Sequence, residues 1–278
     1  MSETSLCQVC PNGCCLSPGQ TGLCKARYNK DGHIIPVGFG MLTAIALDPI
    51  EKKPLSNFMP GRHILSVGGF GCNMKCSFCQ NHDISQIGIA GISRYERMSP
   101  GELCDLAMRL SLSDDNAGVA YTYNEPLISY EYVLESAKLI KSAGLANVLV
   151  TNGNINQTIL SEVLPYMDAM NIDLKVFSEE GYRKLGGNFE TVKAFIRMAA
   201  TTAHIELTTL IVPGLNDSED EMEEEAFWIG SIDPEIPLHI TRYFPQFRMT
   251  APPTDIQLMH RLRSIAASHL KYVYLGNV

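Results

Sequence analysis

From Arg62 onward, short apolar and β-branched runs alternate with stretches of helical length. HILSVGG, GVAYTY, ANVLVTN, DAMNIDLK, IELTTLIV and PLHITRY are each followed by a segment long enough for a helix. Six strands alternating with helices imply an α/β fold built on a parallel sheet. The helix starts agree with this reading. Ser99-Pro100-Gly101-Glu102 offers an N-cap, a proline at the first helical position and a capping-box glutamate, and Ser218 with Glu221 repeats the box. The acidic run EDEMEEE (219–225) then fits a solvated first helical turn, where the helix dipole favours negative charge. A helix from Ser129 to about Ala143 should end at Gly144.

Residues 1–60 differ in texture. They are rich in Cys, Gly and Pro with little periodicity, and read as a small Cys-rich amino-terminal module ahead of a barrel-type core over 61–278. In (β/α) barrels functional groups collect where strands end, and the polar residues follow that rule: Asn124 and Glu125 after the second run, Thr151 and Asn152 after the third, Asp173 and Lys175 after the fourth, Arg242 after the sixth. The net charge of -8 gives no electrostatic footprint for nucleic acid, and no apolar run approaches the ~20 residues of a membrane helix. The first residues, MSETSLCQ, lack a signal pattern, so the expectation is a cytoplasmic protein. There, nine cysteines read as metal ligands or redox groups rather than disulfides.

The loop after the first run, GCNMKCSFCQN (71–81), places Cys72, Cys76 and Cys79 within eight positions. A cubane cluster of four irons needs one ligand per iron, so three thiolates leave one iron open, as catalytic zinc sites keep an open position for substrate. This C-x3-C-x2-C motif, with Phe78 before its last cysteine, resembles the signature of the radical S-adenosylmethionine (SAM) superfamily. ALDPIEKKPL, SVGGFGCNMKCSFCQNHDISQ, YTYNEP, TNG, DLK, IVPGLND and YVYLGNV extend the likeness to the radical SAM enzyme of the AmmeMemoRadiSam system, a relative of pyruvate formate-lyase activating enzymes.

The resemblance implies a partial (β/α)6 TIM-type barrel and an oxidoreductase using a 4Fe–4S cluster and SAM, working anaerobically with a reducing partner such as flavodoxin or ferredoxin. Cys72, Cys76 and Cys79 would each ligate one iron, and SAM would chelate the fourth. Phe78 would lie against the adenine. Within Tyr123-Asn124-Glu125-Pro126, Asn124 and Glu125 would hold the methionyl ammonium; Thr151 and Asn152 would face the ribose or carboxylate, and the backbone from Val212 to Gly214 would support the adenine. Asp173 and Lys175 would lie beside the SAM carboxylate, but Val150 stands where related enzymes often carry aspartate, which speaks against a complete monovalent-cation site. A glycyl-radical activase acting on a protein is the leading reading. A radical SAM enzyme acting on a metabolite is the alternative, and a non-catalytic iron-sulfur or zinc protein is the reading from another class.

Cys7, Cys10, Cys14 and Cys24 form a second candidate set with Cys15 as a spare, open between zinc, an auxiliary iron-sulfur cluster and no metal. Cys104 and Trp228 read as core, His239 as a satisfied core or rim histidine, and His82 as a neighbour of the cluster loop.

Overall fold

A computed structural model describes residues 4–278. Its centre is an eight-stranded sheet in which neighbours in space are neighbours in sequence. The strands are β1 (Ala44–Pro49), β2 (His63–Gly68), β3 (Asn116–Tyr121), β4 (Ala146–Thr151), β5 (Ala169–Asp173), β6 (His204–Ile211), β7 (Leu238–Arg242) and β8 (Val273–Gly276). All adjacent pairs are parallel except β1 with β2, and β1 and β8 remain as edges, so the barrel is partial. The six expected strands are present, flanked by two more. The crossovers carry α1 (Pro100–Ser113), α2 (Tyr130–Ser142), α3 (Gln157–Val163), α4 (Glu179–Lys184), α5 (Phe189–Ala200), α6 (Glu219–Ile232) and α7 (Ile256–Ala266). With helices on its outer face, β3 is buried at every residue, as a parallel strand must be.

Local signals explain most boundaries. Ser99 and Glu102 form the reciprocal capping box, and Gly144 adopts φ +74° just beyond α2. The second box is only half formed. Ser218 caps the amide of Glu221, but the Glu221 carboxylate turns away to accept from Phe177 N at 2.6 Å. The acidic run is likewise not wholly solvated: Glu225 is buried, bonded to Thr209, and burial pushes its carboxyl up to about 8. A seven-residue run spans nearly two helical turns, so one of its residues had to face the sheet.

A module boundary at residue 60 cuts through this arrangement. Residues 44–49 form β1, and the following segment plugs the amino-terminal end of the barrel, where Ile50 and Leu55 pack against Ile64, Ala120, Val148 and Ala169. Composition registered the Cys, Gly and Pro density of the segment but not its pairing. The cysteine-bearing part precedes β1 and consists of two short antiparallel pairs, Ser5–Leu6 with Cys15–Leu16 and Arg27–Lys30 with His33–Pro36. The second turns at Asp31-Gly32, both at positive φ as a two-residue hairpin requires.

Candidate active site

Because the strands are parallel, their carboxyl ends share one rim. The loop leaving β2 there is fixed from several sides. Asn124 spends its side chain on that loop, accepting from Gly69 N and donating to the carbonyls of Phe70 and Gly71 at 3.2 and 3.1 Å. Gly71 has φ +79°, and a Cβ there would lie 2.3 Å from the Cys24 carbonyl, so only glycine lets the amino-terminal module approach. Lys75 N donates to Leu185 O beyond α4, and Arg248 N donates to Ser77 O from the loop after β7.

Each thiol of the loop meets a group suited to a thiolate. Met74 N and Asn152 Nδ2 approach Cys72 Sγ at 3.4 and 3.6 Å, and Ser85 Oγ lies 3.1 Å from Cys79 Sγ. Lys175 acts electrostatically on Cys76 and Cys79. Burial pushes the Cys72 thiol well up and Cys76 to about 11, with Lys175 pulling the latter back. Burial also works against the Lys175 charge, but Asp173, 2.8 Å away, and the two thiols hold the ammonium above its usual range. All nine cysteines are free thiols.

Glu125 is the other pole of the rim. It is 1% exposed, and burial lifts its carboxyl to about 7. Its oxygens accept from Thr151 Oγ1 at 2.9 Å, Asn152 N at 2.8 Å and Leu127 N at 3.1 Å, all neutral donors. Among the described residues no cation pairs with it. Asn152 joins the poles, its amide nitrogen on Glu125 and its side chain on Cys72 and Asn73. The chain thus presents three thiols with anion-stabilising neighbours beside a buried carboxylate with no countercharge. This donor set fits an iron-sulfur cluster together with a cationic ligand.

Residues 66–229 match the sequence profile of the Radical SAM superfamily. The chain belongs to that superfamily. Membership implies a 4Fe–4S cluster and SAM. An uncharacterized protein of Methanocaldococcus jannaschii is 36% identical over 276 residues, covering 98% of this chain and 81% of that protein. The pyruvate formate-lyase 1-activating enzyme of Escherichia coli K12 is 24% identical over 54% of this chain, which spans 61% of that enzyme's length. A radical SAM methyltransferase from Sphaerobacter thermophilus shares the fold with a TM-score of 0.59 at 16% identity, covering 78% of this chain and 67% of that one.

The other expected residues have varied surroundings. Phe78 is buried in the core beneath the loop, and Val212 is buried at the end of β6 with its amide donating to Asn216 Oδ1. Tyr123, at φ +71°, turns its ring toward β1, its hydroxyl 3.0 Å from Asp48 and the Lys53 ammonium over its face, so it is committed away from the thiols. Asn124, expected to meet a ligand ammonium, has its amide on backbone groups and clamps the loop. His82 stacks on Phe247, and Cys104 is buried on α1. Sequence reasoning missed Asn73 and Ser85. Asn73 is buried, donates to Asn154 O at 2.6 Å and accepts from Asn12 at its carbonyl. Its position between two of the cysteines was the available signal.

A cavity of about 200 Å³ opens on Cys72. Lys25, Lys75, Ser85, Phe247 and Arg248 are among its lining residues, so the amino-terminal module helps to wall it. Lys25 Nζ donates to Gln86 O at 2.7 Å and fastens the module there.

Proposed function

We propose that this protein reductively cleaves SAM and uses the resulting radical to take a hydrogen atom from a substrate, in the manner of glycyl-radical-enzyme activases. The observation that carries this reading is Glu125, a buried carboxylate without a cation, linked through Asn152 to Cys72. Cys72, Cys76 and Cys79 hold the three protein-ligated irons. Glu125 receives the methionyl ammonium, which supplies the missing countercharge. Thr151 aims Glu125, while Phe78 and the backbone from Val212 to Gly214 support the adenine. Lys175, anchored by Asp173, offsets the negative charge of the thiolates. The cluster and SAM, held by Cys72, Cys76, Cys79 and Glu125, would supply one-electron cleavage of SAM to methionine and a hydrogen-abstracting 5'-deoxyadenosyl radical. The protein must then keep water and stray carbon-hydrogen bonds away from the rim, which its walled cavity suits. Flavodoxin or ferredoxin is the expected electron source.

A protein target is supported by the likeness to the E. coli activating enzyme. A metabolite target has its own support, because Leu23 and Lys25 of the amino-terminal module line the cavity beside Cys72 and narrow the access a peptide loop would need. Two measurements test these readings. Cys76→Ala should abolish 5'-deoxyadenosine formation under strong reductant while the circular dichroism of the barrel is unchanged; retained activity overturns the site assignment. Incubation of the reduced enzyme with SAM and deuterated cell extract, split by size, should carry deuterium into 5'-deoxyadenosine from the macromolecular fraction. Label arriving only from the small fraction rejects the activase reading in favour of a metabolite.

A further inference from the structure

Cys7, Cys10, Cys14 and Cys24 all line one small cavity beneath the amino-terminal module, together with Arg27 and Ile128. Cys15, their immediate neighbour in sequence, is exposed, so the fold has sorted the four from the fifth. They lie within electrostatic reach of one another: Cys10 of Cys7 and Cys24, and Cys24 of Cys7 and Cys14. Yet among the described residues no three His, Cys, Asp or Glu side chains converge closely enough to grip a single ion. Zinc at about 2.3 Å from each sulfur would need such convergence. Thiolates that each take a different iron of a cubane do not, and the triplet Cys72, Cys76 and Cys79 likewise forms no single-ion site among the described residues.

An independent feature points to an anionic occupant. Arg27 is 96% buried by its 4% exposure, and it lines this cavity. Its Nη1 pairs with Glu131 at 2.7 Å and its Nη2 donates to Ile34 O, but its Nε–H has no partner among the described residues. A buried N–H left unpaired is rare enough to require an explanation. A sulfur-rich anion beside it supplies one.

We propose that Cys7, Cys10, Cys14 and Cys24 ligate a second, fully protein-ligated iron-sulfur cluster. The site adjoins the first: Cys10 lies within reach of the Asn73 side chain, whose Oδ1 lies 3.8 Å from Cys72 Sγ. Asn12 Nδ2 reinforces the junction by donating to Asn73 O at 2.9 Å. The proposal does not depend on SAM chemistry at the first site.

The test uses the full chain reconstituted anaerobically with iron and sulfide. In the Cys72→Ala/Cys76→Ala/Cys79→Ala variant, iron and sulfide should fall by about half, from about eight to about four of each per chain, and the Mössbauer spectrum of the remainder should be that of a 4Fe–4S cluster. Cys10→Ser/Cys24→Ser should lose the complementary half, and Cys15→Ser should lose none. Because the amino-terminal pair of substitutions risks unfolding the module, the triple variant, whose module is intact, is the deciding measurement. A triple variant that retains no iron, or that carries one zinc per chain in its place, overturns the proposal. Loss of SAM cleavage in that variant bears only on the first site.

Discussion

Two buried carboxylates at opposite ends of the same sheet have opposite characters. Glu206, on β6 near the amino-terminal end of the barrel, accepts from Ser56 N and Asn57 N and from the rings of His204 and His239 at 3.0 and 2.6 Å. Burial opposes its charge, but those four partners prevail and its carboxyl is lowered to about 2. Glu125, at the carboxyl rim, meets only neutral donors and is raised to about 7. The plug of residues 50–60 completes the environment of Glu206, with Phe58 stacked on His204 and Tyr274 bonded to Asn57. Among the described residues, nothing completes that of Glu125. One end of the barrel is closed by its own residues, and the other is left short of one positive charge.

If this contrast is right, removing the two carboxylates should do different things. The largest effect belongs to Glu206→Ala, which leaves buried donors unpaired and should lower stability in urea by about 3–5 kcal/mol, with SAM affinity of the reconstituted protein unchanged. Glu125→Gln should do the reverse. It should leave stability at pH 7.5 equal or higher and weaken SAM binding by about 10- to 100-fold in equilibrium dialysis, the worth of one charged hydrogen bond. A variant that instead unfolds with no change in affinity would make Glu125 a second Glu206.

A smaller effect, read without ligand, is the slope of stability with pH. Glu206 has a folded pKa depressed from 4.5 to about 2, so its contribution is complete above 4.5 and is lost as pH falls from 4.5 toward 2. Glu125 has a folded pKa raised from 4.5 to about 7, so the protein loses stability as pH rises across that interval, at up to about 1.4 kcal/mol per pH unit. Glu225, raised to about 8, adds the same sign. Urea melts of the SAM-free protein at pH 3 to 8 should therefore fall away on both sides of a maximum near 4.5. Glu125→Gln should flatten the upper arm only in part, because Glu225 remains; an unchanged upper arm would mean that Glu125 is solvated.

The six central strands, the capping box at Ser99 and the thiol triplet were legible in the sequence because each is a local pattern, set by alternation or spacing along a few residues. The edges of the sheet were not. AIALDP and VYLG become strands because β2 and β7 present them with free backbone groups, a partner choice made across the fold. The same holds for side chains. Nothing local distinguishes Asn124, spent on the β2 loop, from Asn152, which joins Glu125 to Cys72.

By itself, then, the sequence determined the superfamily, the parallel α/β order and which thiols are candidates, since chemistry of that kind is carried by residue type and spacing. Only the tertiary structure decided which carboxylate lacks a countercharge, that Cys14 faces a cavity while Cys15 faces solvent, and that the segment before Arg62 belongs partly to the barrel. The physical reason is that burial and pairing depend on groups distant in the chain, here as far apart as Ser56 and Glu206 or Asn12 and Asn73.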